Sequence, residues 1–412
     1  MMDKLPANME SLNVERKRVS PRTISLMICL FLFAIFFSFW MNSSLESIKR
    51  LYVEETKTTK PQPQPQPPRF AYLISGSSGD LDQLWRVLQA VYHPWNYYVV
   101  HLEKESSMEE RLELASRVEK DAIFSKVKNV VMITKANMVT YGGPTMLSNT
   151  LHACALLLKR FKDWDWFINL SATDYPLVTQ DDLLHAFSGL KRDLNFIEHT
   201  SELGWKEAAR AMPLIIDPGL HKNTKSHIFG VSPKRDLPTA FKLFTGSAYA
   251  ILSREFAEYV IYGWDNLPRT LLMYYSNIDC ADEWYFQTTI CNSPEFVQTV
   301  VNQNMHYITW DTPPKMHPEF LHINDTANMT ASYLPFARKF KHNDIVLNKI
   351  DSELLGRRNG SFTPGGWCAG KPCCSKVGNP TKIKRGEPGA ERLTRLLARI
   401  VYSAEFRDRQ CK

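Results

Sequence analysis

The chain has 412 residues, of which 44% are hydrophobic, 12% aromatic and 23% charged, with a formal net charge of +7. This composition is typical of a globular protein with a sizeable core. It excludes a wholly disordered chain, a collagen-like repeat and a multi-span membrane protein. The basic excess leaves nucleic-acid binding open, but the charge is spread over the whole chain.

One apolar run approaches the length of a membrane span, and it lies near the start of the chain at residues 24–41. As a helix it would cover about 27 Å. Basic residues precede it, so we predict a cytosolic tail at 1–23 and a luminal remainder. A cleaved signal peptide is the alternative, but the run is longer than usual and ends in bulky residues. The sequence therefore predicts a single-pass type II signal anchor.

Residues 42–69 have no apolar periodicity and end in alternating proline and glutamine. Such a segment favours extended polyproline II structure, as expected of a stem that holds a folded domain away from a membrane. A proline-rich ligand for an SH3-type module would instead need a cytosolic address. In a secretory lumen no nucleic-acid partner is expected.

The chain contains eight cysteines, of which Cys29 falls in the predicted anchor. Cys154 lies in an apolar helical stretch and is predicted to be a buried free thiol. The others would form three disulfides with undetermined connectivity. They are Cys280, Cys291, Cys368, Cys373, Cys374 and Cys411. A zinc site at 368–374 is an alternative, but its cysteines lack the paired CxxC spacing.

Sequons for N-glycosylation occur at Asn42, Asn169, Asn324, Asn328 and Asn359. Asn169 falls within an apolar strand and should be buried, which would make its match accidental. The cluster of Asn324, Asn328 and Asn359 has the character of exposed surface. These three are therefore the predicted glycosylation sites.

From residue 70 onward, short apolar runs alternate with segments of helical periodicity. Predicted strands lie at 70–74, 97–102, 130–134 and 166–170, and predicted helices at 81–91, 108–118 and 146–161. Asp80 is placed to cap the first helix. The alternation predicts an α/β fold with a mainly parallel sheet and helices on both faces.

After about residue 190 the pattern loosens. Strands are predicted near 196 and at 244–252, and helices at 255–262, 283–290 and about 390–406. The last helix is basic and carries one apolar stripe, so we interpret it as an outer helix docked on the domain. Contact with an anionic polysaccharide or a membrane is the alternative.

Ligands of open α/β sheets bind beyond the carboxyl ends of the strands. The loops at these ends contain Ser75, Gly76, His101 and Asp174, and they lack the glycine motifs of dinucleotide and P-loop sites. An α/β domain on a luminal stem suggests glycosyl transfer from a nucleotide sugar, often assisted by Mn²⁺ on an Asp-x-Asp motif.

Two Asp-x-Asp matches occur, and neither is well placed to hold a metal. The match at 163–165 precedes a central strand, whereas the match at 80–82 opens a helix where capping already accounts for acids. Without a metal, the charge of a departing diphosphate must be met by fixed cations. The candidates are Lys315, Arg338 and Lys339.

Five ordered blocks resemble the core-2/I-branching glycosyltransferases, glycosyltransferase family 14. They are Phe-Ala-Tyr-Leu-Ile at 70–74, Pro-x-Asn-Tyr-Tyr-x-x-His at 94–101, Trp-Phe-Ile-Asn-Leu at 166–170 with Asp-Tyr-Pro at 174–176, Leu-Phe-Thr-Gly-Ser-Ala-Tyr at 243–249, and Asp-Glu at 282–283. The resemblance implies a Rossmann-like GT-A catalytic domain at 70–345. It also implies an inverting reaction that needs no metal or other cofactor. Residues 346–412 would form a cysteine-rich, helical extension packed on this domain.

The resemblance also implies roles for individual residues. Glu283 would be the catalytic base, which takes the proton of the acceptor hydroxyl as its oxygen attacks C1 of the donor. Lys339 matches a family lysine that holds the diphosphate, Arg338 would share this work, and Lys315 is the candidate for a second cation. Apart from the resemblance, the loops beyond the carboxyl ends of the strands make Ser75, Gly76, His101 and Asp174 candidates for further contacts with the UDP-sugar.

On the acceptor side, the resemblance implies that Trp310 packs on a sugar and that Glu198 binds the acceptor. Core packing is the alternative for Trp310. Lys206 and Arg210, one helical turn apart, lie in a segment similar to the plant members of the family. We group them with this side of the pocket, as candidate cations for the carboxylate of a glucuronate.

The plant-like segments include 204–210 and 362–368. They imply transfer of glucuronic acid from UDP-glucuronate to β-1,6- and β-1,3-galactan side chains of arabinogalactan proteins, at the Golgi membrane and with room for complexes of Golgi enzymes. Another UDP-sugar specificity, such as that of a β1,6-N-acetylglucosaminyltransferase, is one alternative. A catalytically silent Golgi scaffold that binds glycans is the other.

Overall fold

The structure is a computed structural model. It describes residues 66–412 except 223–225, 233, 312–316, 385–387 and 404. The predicted tail and anchor, most of the stem, the sequon at Asn42 and the candidate cation Lys315 lie outside the described residues. Among the residues described, no helix combines the length and apolar character needed to cross a membrane.

The strands fall along the whole described chain and are numbered in chain order. They are β1 (Phe70–Gly76), β2 (Tyr97–Leu102), β3 (Val130–Met132), β4 (Trp166–Ser171), β5 (Asp174–Pro176), β6 (Asn195–Thr200), β7 (Leu214–Ile216), β8 (Phe229–Val231), β9 (Thr245–Ser253), β10 (Val300–Val301), β11 (His306–Ile308), β12 (Phe336–Arg338), β13 (Cys368–Ala369) and β14 (Lys376–Val377).

The α-helices are numbered in the same way. They are α1 (Leu81–Val91), α2 (Met108–Lys120), α3 (Ala122–Val127), α4 (Pro144–Arg160), α5 (Gln180–Phe187), α6 (Arg254–Tyr262), α7 (Leu267–Tyr275), α8 (Tyr285–Cys291), α9 (Thr326–Ala331), α10 (Ile345–Glu353) and α11 (Pro388–Val401). The helices predicted in the first half of the chain are confirmed as α1, α2 and α4.

Seven strands form the central sheet, in the order β10-β6-β9-β4-β1-β2-β3. Strands β1 to β4 are parallel to their neighbours in this group, whereas β9 runs antiparallel to both β4 and β6. The predicted mixed α/β fold with a mainly parallel sheet is therefore confirmed. Periodicity reveals burial and not direction, so the reversal of β9 could not be predicted.

The central sheet has a hydrophobic core on each face. Phe70, Tyr72 and Ile74 of β1 belong to one core cluster, whereas Ala71 and Leu73 belong to the other. Side chains of a strand point alternately to the two faces, so a strand covered by helices on both sides is apolar at every position. This explains why β1 reads as a continuous apolar run.

The register of the strands brings the predicted loop residues to one edge of the sheet. Ser75 on β1 pairs in register with His101 on β2 and with Ser171 on β4. Next to this edge, a small sheet of order β11-β12-β5 pairs Arg338 with Asp174. The carboxyl ends of β1, β2 and β4 therefore meet a strand that carries a candidate cation.

A buried ionic network connects β5 to the C-terminal part of the chain. Asp351 on α10 pairs with Arg86 on α1 at 2.7 Å and with Arg357 at 3.0 Å, and it accepts a hydrogen bond from the Tyr175 hydroxyl. Arg357 also donates to that hydroxyl. Since every member is paired, the network can stay charged away from water.

The C-terminal helix α11 packs on α5 through an apolar stripe. Its buried members include Leu393, Leu396, Leu397 and Val401. The helix is confirmed, but it ends at Val401 and not at the predicted 406. On α5 itself, Asp181 accepts the backbone amides of Gly366 and Lys384. These bonds fix the segment of the chain that comes before α11.

The described part of the chain forms two disulfides, Cys291–Cys411 and Cys368–Cys374. The expectation of three is wrong, because Cys280 is buried in the turn before α8 and Cys373 is exposed, and both are free. Cys154 is buried and free, as predicted. Cys368 and Cys374 are joined in this structure, so neither has a thiolate to offer to the alternative zinc site.

Asn324, Asn328 and Asn359 are exposed, as predicted. Asn169 is only partly buried, but its amide is occupied: Nδ2 donates to Ala248 at 2.9 Å and Oδ1 accepts from the amide of Ala250. Glycan attachment at Asn169 would break the tie between β4 and β9. The sequon at Asn169 is therefore an accidental match, because its side-chain amide has a structural role.

The predicted side-chain cap of α1 is wrong. The carboxylate of Asp80 accepts the amide of Ser77 at 2.7 Å and lies 2.7 Å from His342 Nε2, and it makes no capping bond to the helix. Folding brings His342 from far along the chain to this carboxylate, a contact that local sequence does not reveal.

Candidate active site

Glu283 lies on a 3-10 turn, Ala281–Glu283, directly before α8. The turn follows Cys280, which adopts a left-handed backbone conformation and donates its amide to Gly142 at 2.6 Å. The backbone oxygen of Glu283 also accepts a hydrogen bond from the Thr245 hydroxyl on β9. These contacts hold the side chain of Glu283, which is 27% exposed, at the surface of the domain.

Two cations meet the carboxylate of Glu283. Lys206 Nζ and Arg210 Nη1 each lie 2.8 Å from Oε2, and Lys206 also donates to the Thr245 hydroxyl. The two residues are four positions apart, and Arg210 lies on a π-helical turn, Glu207–Ala211, that follows Lys206. The structure thus places both on a carboxylate of the chain itself, while their contact with a donor carboxylate stays a prediction.

Three acidic side chains form a cluster around this point. The guanidinium of Arg210 lies 3.4 Å from Asp279, and Asp282 is buried beside Glu283. Burial raises the pKa of Asp282 to about 7, and the charge of Glu283 adds to this increase. Arg210 opposes the increase, so it acts as the shared counter-ion of the cluster.

The candidate diphosphate cations lie at the end of β12. The guanidinium of Arg338 packs over the ring of Tyr249 at 4.3 Å and lies 3.7 Å from the carboxylate of Asp174. Lys339 packs over Phe320 at 4.4 Å. Burial lowers the pKa of Lys339, and the nearby charge of Arg338 contributes. Two adjacent cations of this kind favour a ligand with more than one negative charge.

Asp174 is fully buried. It accepts the amide of Ser171 at 2.6 Å and faces Arg338, so in this structure it contacts the cation. Its predicted contact with a UDP-sugar stays a prediction.

Tyr141 lies near the turn that carries Glu283, because the next residue, Gly142, accepts the amide of Cys280 at 2.6 Å, and sequence reasoning missed it. Partial burial and the charge of Glu283 raise the pKa of Tyr141, and Arg338 lowers it. Tyr141 also contacts His317 at 3.0 Å. The available signal was its position in the loop between β3 and α4, at the ligand-binding edge of the sheet.

The three predicted loop residues at the ends of β1 and β2 lie at the same edge. Ser75 is partly exposed, and an added Cβ at Gly76 would lie 2.9 Å from Asp80 Cβ, so a small residue is required. His101 is buried and its Nε2 accepts the amide of Asn137. Burial, assisted by His152 and Arg111, lowers the pKa of His101 to about 4, so this side chain is neutral at physiological pH.

On the acceptor side, Glu198 on β6 accepts a hydrogen bond from Asn304. The side chain reaches solvent, yet the protein atoms around the carboxyl raise its pKa, with Lys206 opposing and Glu283 adding to the increase. Glu198 therefore lies within electrostatic reach of Glu283 and Lys206. Trp310 follows β11 and is 47% exposed, so the core-packing alternative for Trp310 is wrong.

A second exposed tryptophan lies next to the cations that contact Glu283. Trp205 is 63% exposed, and the guanidinium of Arg210 lies 5.1 Å from its ring centroid. Sequence reasoning used this tryptophan only as part of a plant-like segment. The sequence did not show that the side chain of Trp205 is exposed next to the charged residues Lys206 and Arg210.

The acids of the two Asp-x-Asp matches all contact protein groups. Asp163 pairs with Arg69, and Asp165 accepts the amide of Arg69. Asp82 pairs with Arg117 at 2.8 Å, and Asp80 with His342. Each carboxylate thus has a structural role within the chain.

A family model described as "Branch: Core-2/I-Branching enzyme" matches residues 70–330. The chain is similar to Beta-glucuronosyltransferase GlcAT14A of Arabidopsis thaliana, with 58% identity over 84% of this chain and 78% of that protein. It is 48% identical to Beta-glucuronosyltransferase GlcAT14C of Arabidopsis thaliana, over 84% of this chain and 85% of that protein. Xylosyltransferase 1 of Rattus norvegicus is 30% identical over 72% of this chain and 36% of its own length.

The matched region contains β1 to β11 and the turn that carries Glu283. A glycosyltransferase of this kind acts on a nucleotide-sugar donor and a glycan acceptor. The chain therefore belongs to the core-2/I-branching enzyme family and is a glycosyltransferase.

Proposed function

We propose that this chain is an inverting β-glucuronosyltransferase with a GT-A catalytic domain. It transfers glucuronic acid from UDP-glucuronate to β-1,6- and β-1,3-galactan side chains of arabinogalactan proteins. The observation that carries the donor assignment is the 58% identity to a plant β-glucuronosyltransferase over most of both chains. The arrangement of Glu283 and the β12 cations supports the type of reaction.

In this mechanism, Glu283 accepts the proton of a galactose hydroxyl as the oxygen of that hydroxyl attacks C1 of the glucuronate. The bond between C1 and the UDP oxygen breaks on the opposite face, so an α-linked donor yields a β-glucuronide. Lys206 and Arg210 orient the base through their contacts with Oε2. No protein nucleophile is required, because the acceptor oxygen inverts the configuration at C1 in a single displacement.

The diphosphate of the bound donor carries two negative charges and gains a third as the bond to C1 breaks, and Arg338 and Lys339 offset this charge in place of a metal ion. Tyr249 fixes the guanidinium of Arg338, and Asp174 faces it from the adjacent strand. Preorganised cations of this kind stabilise charge that develops in the transition state. This assignment makes the reaction independent of divalent metal.

We further propose that residues 24–41 are a signal anchor and 42–69 a luminal stem, which place the catalytic domain in the Golgi lumen. The apolar run with its basic flank and the proline-rich segment support this arrangement. The exposed sequons at Asn324, Asn328 and Asn359 are compatible with glycosylation in the lumen.

The full chain, purified in detergent, tests the proposal. Transfer is measured from UDP-glucuronate, UDP-N-acetylglucosamine, UDP-xylose and UDP-galactose to β-1,6- and β-1,3-galacto-oligosaccharides, with and without EDTA. We expect glucuronate transfer that EDTA leaves unchanged. Transfer of a sugar other than glucuronate alone would refute the proposed donor. Loss of activity on chelation would refute the metal-free mechanism, and the candidate metal ligands would then be Asp80, Asp82, Asp163 and Asp165.

A further inference from the structure

Trp205 is held in a rigid turn beside the proposed base. Gly204 has a positive φ of 53°, which glycine adopts without strain. The turn is closed by backbone hydrogen bonds from Lys206 to Leu203 at 3.1 Å and from Glu207 to Gly204 at 3.2 Å. The residue after Trp205 is itself bonded to Glu283. The indole therefore has a backbone fixed relative to the catalytic carboxylate.

The indole presents a large apolar surface where the surrounding side chains are charged. Trp205 is 63% exposed, although Lys206 and Arg210 both direct their charged ends to Glu283. Its ring contacts the guanidinium of Arg210, a cation–π interaction that fixes the orientation of the indole. A fixed aromatic plane open to solvent is a ready binding surface for an apolar ligand face.

Galactopyranose offers a matching surface. Its axial 4-hydroxyl leaves the C–H groups of C3, C4 and C5 together on one face of the ring, and this face packs on aromatic planes while the hydroxyls bind polar groups. Next to Trp205 in the chain, Lys206 is such a polar group, and its charge in turn acts on Glu198. The site thus combines an aromatic plane with hydrogen-bonding side chains, as ligand pockets require.

The position of the ring determines which sugar it would bind. The guanidinium of Arg210 contacts the carboxylate of Glu283 at 2.8 Å and lies 5.1 Å from the Trp205 ring centroid. The ring is thus linked to the base through Arg210, which favours a sugar that neighbours the one whose hydroxyl reaches Glu283. We propose that Trp205 is the platform for a galactosyl unit next to the one that receives glucuronate, and that it makes the enzyme prefer chains over single galactose units.

This inference rests on the proposed function, so wild-type transfer to galactan is measured first. The comparison then uses β-1,6-galactotetraose and methyl β-galactoside as acceptors, with the full chain carrying Trp205→Ala, Trp205→Phe or Trp264→Ala. Trp264 is fully exposed at the end of α6 and is the matched control. Thermal unfolding verifies that each variant is folded.

We expect Trp205→Ala to raise the KM for the tetraose about tenfold, as for loss of an aromatic anchor. Its kcat, its KM for methyl β-galactoside and its KM for UDP-glucuronate should stay at wild-type values. Trp205→Phe should keep most of the affinity, and Trp264→Ala should match the wild type.

An unchanged KM for the tetraose in Trp205→Ala would overturn this inference and leave the proposed function intact. So would an equal fall in kcat with both acceptors, because that result would assign Trp205 to the support of Arg210. Absence of glucuronate transfer by the wild type would overturn the proposed function, and this inference with it.

Discussion

At the scale of single residues, the chemistry depends on how Glu283 is held. Two cations contact the same carboxylate oxygen, and the backbone of the turn is tied to β9 through Thr245. A base that must accept a proton from a sugar hydroxyl needs a fixed position more than a large change in acidity. The turn before α8 supplies this position.

Replacing Glu283 with Gln keeps the shape of the side chain and removes its ability to accept a proton as a base. We expect the kcat for transfer to fall by about 10³-fold, with little change in the Kd of UDP. Initial rates and calorimetric titration with UDP measure the two quantities. Glu109→Gln, at an exposed position on α2, should behave like the wild type.

Activity of Glu283→Gln within twofold of the wild type would exclude this residue as the base. Loss of UDP binding in the same variant would instead indicate that Glu283 supports the donor site.

Asp282 imposes a pH-dependent cost on stability. Folding raises its pKa from 3.8 to about 7, so the folded chain binds a proton that the unfolded chain releases in this window. The contribution of Asp282 to stability therefore falls as the pH rises from 3.8 to 7, and the full penalty applies above pH 7.

Asp282→Asn removes this penalty. We expect the variant to be more stable than the wild type at pH 8, by up to about 4 kcal/mol, and the difference to disappear near pH 4. Urea unfolding at both pH values measures it. Asp82→Asn removes an exposed acid paired with Arg117 and should change stability by less than about 1 kcal/mol. A constant difference across the pH range would refute the assignment to Asp282.

At the scale of elements, the small sheet β11-β12-β5 decides where the cations lie. Pairing of β12 with β5 sets Arg338 opposite Asp174, directly after the central strand β4. The buried network of Asp351, Arg86 and Arg357 holds Tyr175 on β5 from behind. The position of the candidate diphosphate site therefore depends on α1, α10 and the segment that follows α10.

Lys339 and Lys341 provide a matched pair for testing this site. Both ammonium groups lie over the ring of Phe320, at 4.4 Å and 5.3 Å, but only Lys339 directly follows β12. Lys339→Ala should raise the KM for the UDP-sugar at least about tenfold, because it removes a charge-assisted contact with the diphosphate. Lys341→Ala should leave it unchanged. Equal effects in steady-state kinetics would mean that general surface charge, and not a defined site, binds the donor.

At the scale of the whole molecule, the C-terminus is joined to the catalytic region. The disulfide Cys291–Cys411 connects the end of α8 to the penultimate residue. The amide of Cys411 also donates to His199 on β6, and the amide of Ser201 donates to the C-terminal Lys412. The last residues of the chain thus hold the carboxyl end of β6, close to Glu198.

The two disulfides should differ in their contribution to stability. Cys291 and Cys411 are 120 residues apart, whereas Cys368 and Cys374 are 6 apart. Replacing both cysteines of the long link with serine should cost about 5 kcal/mol, compared with about 2 kcal/mol for the short link, because a longer loop gains more entropy on release. Urea denaturation of the two double variants tests this. A larger loss for the short link would refute the entropic account.

The first half of the fold was predictable because its signals are local. Strands β1, β2 and β4 are continuous apolar runs, and the helices between them repeat apolar residues at helical spacing. The second half depends on contacts between distant segments, such as the antiparallel insertion of β9 and the pairing of β5 with β12. Local periodicity contains no information on such pairings.

The sequence by itself determined the α/β class, the family and the candidate base Glu283, because these follow from local patterns and ordered motifs. Only the tertiary structure placed Lys206 and Arg210 on Glu283, brought the loop of Tyr141 to the turn that carries Glu283, and left Trp205 exposed. These residues come from separate segments of the chain. Their distances are set by how the sheet and turns pack, and spacing along the chain does not encode them.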